Sequence, residues 1–113
     1  MFQRLIYRDG SANSYTICVN GERATFEYVP VTPAQSSTGH YSGGDPRSGQ
    51  LDAAQIAALW QHVTALEANT ALHVTDRGKG TGLFAITDAN GERSFIIARG
   101  SELAAFDAFV TAS

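Results

Sequence analysis

The strongest constraint on the fold is a pair of Asn-Gly dipeptides, Asn20-Gly21 and Asn90-Gly91, in a chain of 113 residues. Each dipeptide stands between two segments in which apolar and polar residues alternate. Asn-Gly is favoured in two-residue hairpin loops because both central residues of a type I′ turn adopt positive φ. The sequence therefore predicts two β-hairpins and, with them, an antiparallel sheet.

The two dipeptides also predict which residues pair across the strands. A two-residue loop at the first dipeptide pairs Ile17 with Ala24, and one at the second pairs Phe84 with Ile97. Because side chains alternate between the faces of a sheet, the apolar residues of each hairpin collect on one face. In the first hairpin these residues are Tyr15, Ile17, Val19, Ala24, Phe26 and Tyr28.

One amphipathic helix is predicted after each hairpin. Asp52 and Gln55 are placed as a capping box at the start of the first helix, and Asn69 is expected to end it in the left-handed conformation. Ser101 is expected to cap the second helix. The apolar stripes have helical spacing. They are Ile56, Leu59, Trp60, Val63 and Leu66 in the first helix, and Leu103, Phe106, Phe109 and Val110 in the second.

A further strand at residues 2–8 and a short strand or bridge at 72–74 complete the order ββ(β)-loop-α-ββ-α. We expect an α+β fold in which both helices pack on an antiparallel sheet, in a single domain spanning residues 1–113. Apolar residues make up 43% of the chain and charged residues 17%, which is the composition of a globular protein.

Charge and cysteine content restrict the partners and the compartment. A net charge of -3 provides no positive field for phosphates, so no nucleic-acid partner is expected. No apolar run approaches the roughly 20 residues of a membrane helix, and Arg4 and Arg8 interrupt the N-terminal segment too early for a secretion signal. Cys18 stands alone and cannot form an internal disulfide. We therefore expect a cytoplasmic protein without a membrane partner.

The segment 30–50 is the most unusual part of the sequence, being rich in Ser, Thr, Gly and Pro without apolar periodicity. Structureless loops longer than about 12 to 15 residues are uncommon in compact domains, which suggests a role for this one. Three interpretations are open: an ordered crossover packed through Tyr41 and Pro46, a recognition loop, or a disordered insertion. The predicted partner-binding residues here are His40, Tyr41, Gly43, Gly44, Asp45 and Arg47.

Neither a catalytic site nor a metal site is predicted. The loop contains the residue types of a hydrolytic triad at Ser36, Ser37, His40, Ser42 and Asp45, but a triad needs a base held by a scaffold. The Gly-x-Ser-x-Gly motif, which holds a nucleophilic serine on a tight turn, is also absent. The three histidines show no metal-ligand spacing, so neither a metal nor another cofactor is expected.

A second glycine-rich segment, residues 77–82, could form an anion-binding nest of backbone amides. Its predicted anion-binding residues are Arg77, Gly78, Lys79 and Gly80. A nucleotide fingerprint needs a strand before the glycines and a helix after them, whereas here a strand follows. The alternative is a solvated connection into the second hairpin.

The order of elements resembles that of the emfourin type of proteinaceous inhibitors of thermolysin-like metallopeptidases. These are small intracellular α/β domains with a Ser-Gly-Gly-bearing turn after the first strand. This chain has Asp9-Gly10-Ser11 at that place, and its own Ser42-Gly43-Gly44 lies far downstream. The resemblance implies a compact inhibitor with a metallopeptidase as partner, and it transfers no individual contact residue.

Three functions are therefore expected as alternatives. The leading one is a non-enzymatic binding module that presents a loop to a protein partner, with Asp9, Gly10 and Ser11 added to the predicted contacts. The second is a small-ligand or anion-binding domain that uses residues 77–82. The third is an oligomerising domain, in which a homodimer forms through the unpaired edge of the sheet or the outer face of the second hairpin.

Overall fold

Seven strands and two helices make up the fold in the computed structural model, which describes residues 2–36 and 38–112. The strands pair antiparallel in the spatial order fourth, third, second, first, sixth, seventh, fifth. The predicted α+β class with an antiparallel sheet and two helices is confirmed. The strands are β1 Arg4–Arg8, β2 Ser14–Asn20, β3 Arg23–Val29, β4 Arg47–Leu51, β5 His73–Val74, β6 Gly82–Asp88 and β7 Gly91–Ile97. The helices are α1 Ala53–Ala68 and α2 Ser101–Thr111.

Both helices contribute to one apolar core with the strands. Buried side chains at alternate strand positions form a single cluster with the buried faces of α1 and α2. Phe106 of α2 packs edge-on against Tyr7 of β1 and Phe84 of β6, with ring centroids 4.8 and 5.0 Å away. The other sheet face carries half-buried side chains such as Ile6 and Leu83. Among the described residues, no helix is long and apolar enough to cross a membrane.

The first hairpin forms where it was predicted, but its register differs. Ile17 pairs with Phe26, so the predicted pairing of Ile17 with Ala24 is wrong by two residues. The central residues of the turn are Gly21 and Glu22, and Gly21 has a φ of 68°. A glycine at the first central position is typical of a type II′ turn. A slip of two residues keeps every side chain on its face, so the predicted apolar face is confirmed.

The register of the second hairpin also differs from the prediction by two residues, in the opposite direction. Phe84 pairs with Phe95, so the predicted pairing of Phe84 with Ile97 is wrong. Asp88 and Gly91 pair and enclose a two-residue turn, and the Asp88 carboxylate accepts a hydrogen bond of 2.8 Å from the Asn90 amide. Asp at the first position and Gly at the fourth are typical of a type I turn. The positive φ therefore falls on Gly91, not on Asn90.

Helix α1 begins as predicted and ends differently. The Gln55 amide donates to the Asp52 carboxylate over 2.8 Å, and the Asp52 amide donates to Gln55 Oε1 over 2.9 Å, so the capping box is confirmed. Asn69 has a φ of -86°, so its predicted left-handed conformation is wrong. The Asn69 amide still bonds to carbonyls of the last turn, and the chain continues into a 3₁₀ turn at Thr70–Leu72.

Helix α2 has the predicted apolar face but not the predicted cap. Gly100 occupies the N-cap position, and Ser101 is already the first helical residue. Its hydroxyl therefore donates to the Glu102 carboxylate instead of accepting from a first-turn amide, and the prediction that Ser101 caps the helix is wrong. The buried stripes are Ile56, Leu59, Val63 and Leu66 in α1 and Leu103, Phe106 and Val110 in α2, with Trp60 and Phe109 half-buried.

The loop predicted at 30–50 contains regular structure that the sequence did not reveal. A 3₁₀ turn occupies Pro33–Gln35, and residues 47–50 belong to β4, so the prediction of a loop up to residue 50 is wrong there. The Arg47 guanidinium lies over the rings of Tyr28 and Phe26, 5.1 and 5.7 Å from their centroids. A cation thus covers aromatic surface that an apolar residue usually covers. Residues 47–50 therefore lack the alternation of apolar and polar residues that predicts a strand. Ser37 lies outside the described residues.

The strand register brings three connections together at one end of the sheet. Arg8, at the end of β1, pairs with Ser14 and with Leu83, and Ser14 pairs with Val29. The connections before and after these residues therefore emerge side by side, whereas the two hairpin turns lie at the opposite end. We name this end the loop end; it comprises residues 9–13, 30–36, 38–46 and 75–81.

The corrected first turn can be tested by substitution. Gly21→Ala is expected to lower the free energy of unfolding by about 1 kcal/mol, because a β-carbon is strained at a φ of 68°. Asn20→Thr is expected to change it by less than about 0.5 kcal/mol, because Asn20 is an exposed strand residue. Urea denaturation measures both. A loss at Asn20 as large as that at Gly21 would contradict the observed turn.

Candidate functional site

The turn between β1 and β2 is fixed by the carboxylate of its first residue. Asp9 Oδ1 accepts hydrogen bonds from the backbone amides of Ser11 and Asn13, at 2.9 and 3.0 Å. Ala12 has a φ of 68°, a conformation that is uncommon for a residue with a β-carbon. Since such strain persists only when surrounding contacts impose it, the turn has a defined shape. Gly10 and Ser11 are exposed at its tip.

Asn13 connects this turn to the long loop. Its side chain is buried, with 4% of its surface exposed, and its amide uses both donor and acceptor. Asn13 Oδ1 accepts from the Val31 amide over 2.9 Å, and Nδ2 donates to Asp9 Oδ2 over 3.0 Å and to the Tyr41 hydroxyl over 2.9 Å. One buried amide therefore holds the turn and two points of the loop.

The loop approaches Asn13 so closely that a glycine is required. A β-carbon on Gly43 would lie 2.0 Å from Asn13 Oδ1. The Gly43 amide donates to the Val31 carbonyl over 2.9 Å, and the Gly43 carbonyl accepts from the Tyr28 hydroxyl over 2.6 Å. Burial raises the pKa of Tyr28, which keeps this hydroxyl protonated and able to donate. The loop is thus fastened to the sheet around Gly43.

The second glycine-rich segment is fastened to the same turn. The Arg77 guanidinium donates to the Thr81 carbonyl, to Thr81 Oγ1 over 3.1 Å and to the Asp9 carbonyl over 3.1 Å. A β-carbon on Gly10 would lie 2.9 Å from the Gly80 α-carbon, so the two backbones are in contact. The structure therefore brings the predicted partner-binding and anion-binding segments together, although no local pattern in the sequence indicates that they meet.

The remaining predicted residues fall into two groups. His40, Gly44, Asp45 and Lys79 are exposed at the loop end. Arg47 is also exposed but lies in β4, where it donates to the Thr111 carbonyl over 3.0 Å.

Two groups of the predicted anion nest are already engaged within the chain. The Gly78 amide donates to the Asp76 carbonyl over 2.9 Å. The Arg77 guanidinium bonds to two carbonyls of the loop end. Lys79, by contrast, is exposed.

A cleft of about 450 Å³ separates the turn from α2. Its three charged residues come from distant segments, so no pattern along the sequence indicates them as a group. Asp9 and Asp107 supply two carboxylates, and Arg99 supplies a cation that packs against Gly80. The cleft is lined by Asp9, Gly10, Ser11, Gly80, Arg99, Gly100, Leu103, Ala104, Asp107 and Thr111.

Asp107 is a half-buried carboxyl group of the cleft. It accepts a hydrogen bond from the buried Tyr7 hydroxyl. Burial raises the pKa of Asp107 above its ordinary value of 3.8, the Tyr7 bond opposes this, and the charge of Asp9 adds to the increase. Burial, and next the bond to Asp107, also raise the pKa of Tyr7, so Tyr7 keeps its proton.

Comparison with protein-family models, with curated proteins and with solved structures finds no match for this chain. Within residues 2–36 and 38–112, no three His, Cys, Asp or Glu side chains cluster in a way that could hold a metal ion.

The perturbed carboxyl predicts a pH dependence of stability. Because the pKa of Asp107 is higher in the folded than in the unfolded protein, its contribution is fully present below about pH 3.8 and is lost as the pH rises through the folded value. Asp107→Asn keeps an oxygen acceptor for Tyr7 but cannot ionise. It should therefore reduce the dependence of the free energy of unfolding on pH. Urea denaturation from acid to neutral pH should show the variant gaining stability relative to the wild type. Parallel curves would contradict the prediction.

Proposed function

We propose that this protein is a non-enzymatic binding module that docks on a protein partner through its loop end. The observation that carries the proposal is the fastening of three glycine-bearing segments to one another by Asn13, Asp9 and Arg77. A surface with a defined shape loses less conformational entropy when it binds than a flexible one does.

The exposed tips of the loop end suit contact with a protein surface. Gly44 allows a partner to approach the backbone closely, since no side chain intervenes and no atom lies within 4 Å of the place of a β-carbon. Tyr41 exposes 38% of its surface while its hydroxyl is held by Asn13. Tyrosines of this kind, large and already oriented, are enriched among the residues that dominate binding energy.

The finer form of the proposal makes the partner a thermolysin-like metallopeptidase. The order of elements supports it through the resemblance to emfourin-type inhibitors. The turn of residues 9–12 adds support, because it is exposed at Gly10 and Ser11 and held by the Asp9 carboxylate. Such a turn can enter a peptidase cleft without the chain reordering.

Anion binding at residues 77–82 is the alternative with less support. Its favourable features are the exposed Lys79 and the neighbouring Arg99, which packs against Gly80. Against it, the Asp9 and Asp107 carboxylates line the same cleft as Arg99 and repel an anion.

We also propose that the binding module is cytoplasmic. A single unpaired cysteine, here Cys18, is ordinary in that compartment.

Two matched arginine substitutions test the loop end as the binding surface. Ser11→Arg adds a bulky charged side chain at its tip, and Glu22→Arg adds the same side chain in the exposed hairpin turn at the opposite end. We expect Ser11→Arg to weaken inhibition of thermolysin-like metallopeptidases, or capture of a host protein, by about tenfold or more. Glu22→Arg should leave both unchanged.

The outcomes separate the levels of the proposal. Wild-type protein that leaves every host metallopeptidase fully active contradicts the inhibitor form. Equal effects of the two substitutions on a captured partner contradict the loop end as the surface. A melting temperature that rises with inorganic phosphate, in a protein that captures no partner, would favour the anion-binding alternative.

A further inference from the structure

Strand β4 forms one edge of the sheet, and in the described part of the chain no strand lies beyond it. In an antiparallel ladder every second residue directs its N–H and C=O away from the neighbour, so this edge presents unpaired donors and acceptors. Residues 47–50 are exposed along it. The edge is thus available to another strand.

The β4 edge lacks the features that usually prevent pairing. No proline interrupts Arg47–Leu51, and its one charged side chain folds back over the rings of Tyr28 and Phe26. At the other side of the sheet, the exposed part of β7 carries Glu92 and Arg93. Charged residues on an edge disfavour pairing, so β4 is the more receptive edge.

An apolar groove of about 410 Å³ lies beside the same edge. Helix α1 starts one residue after β4, and Arg47 of β4 bonds to the Thr111 carbonyl at the end of α2, so both helix ends border the strand. An uncovered groove and an unpaired edge therefore occupy adjacent positions. The lining is mostly apolar, with Leu51, Ala54, Ala58, Leu59, Phe109 and Ala112 beside the polar residues Asp52 and Gln55.

We propose that the protein forms a two-fold symmetric dimer in which β4 pairs antiparallel with β4 of a second copy. A pairing centred on Gly49 places Ser48 opposite Gln50 of the partner subunit. Arg47 then lies opposite Leu51 of the partner subunit, so this register brings no like charges of β4 face to face. The same residues meet across the axis from both copies, as an isologous interface requires.

The same two-fold axis covers the groove. Antiparallel pairing at an edge continues the sheet, so the helices of both copies lie on the same side of it. The ends of α1 and α2 in one copy then face those of the other, and groove meets groove. Backbone pairing and apolar burial arise from one operation, which favours a second copy over an unrelated extended peptide. The proposal does not depend on the loop-end function.

Sedimentation across a concentration series from about 1 μM to about 1 mM tests the dimer. The mass should rise from 12.0 kDa towards twice that value. In Ser48→Lys/Gln50→Lys, lysines face each other across the two-fold axis, and the dissociation constant should rise about tenfold. In Ser48→Glu/Gln50→Lys, opposite charges face each other, and dimerisation should recover to at least the wild-type level.

Contacts within one chain favour the two variants in the opposite order from the dimer. An effect on the monomer can therefore be distinguished from an effect on dimerisation. Ser48 pairs with Glu27 of β3, so lysine at position 48 is favourable inside the monomer and glutamate is unfavourable. Circular dichroism establishes that both variants are folded. A single-chain mass for the wild type throughout the series, or equal weakening by the two variants, would overturn the proposal.

Discussion

The side-chain amide of Asn13 is the interaction on which the arrangement of the loop end depends. It satisfies the Val31 amide and bonds to Asp9 and Tyr41 in a buried position. A buried polar group left without a partner costs about 1 to 3 kcal/mol. This cost favours the one position of the loop in which Asn13 and the Val31 amide are both hydrogen-bonded. Gly43 belongs to the same constraint, since no larger residue fits beside Asn13.

The sheet brings the segments that Asn13 joins to the same end of the molecule. Its register places the short hairpin turns at one end and all glycine-rich connections at the other. The Arg77 guanidinium then joins the third connection to the turn of Asp9. The helices stabilise the scaffold from one face without covering the loop tips. A surface of three fastened segments results from backbone pairing far from the tips themselves.

The sequence predicted features that depend on neighbours along the chain. The two hairpins, their apolar faces and the Asp52 capping box follow from periodicity and turn chemistry, and all are present. The strand registers could not be deduced from the same patterns, because a slip of two residues leaves every side chain on the same face of the sheet. The structure assigns positive φ to Gly21 and Gly91, and both asparagines lie outside that region.

Features that depend on distant contacts were not predictable. Strand β4 was missed because Arg47 and Gly49, not apolar residues, face the aromatic rings of β3. The meeting of Gly10 with Gly80 depends on the pairing of β1 with β6, which no local pattern indicates. The cleft between Asp9 and Asp107 exists for the same reason.

Amide hydrogen exchange at Val31 tests the central claim most directly. Val31 lies outside the regular strands, and its amide bonds to the Asn13 side chain. If Asn13 fastens the loop, the Val31 amide exchanges far more slowly than an unstructured amide in the wild type and loses that protection in Asn13→Ala. Exchange at the unstructured rate in the wild type would show that the loop end is not held, and the account would be wrong.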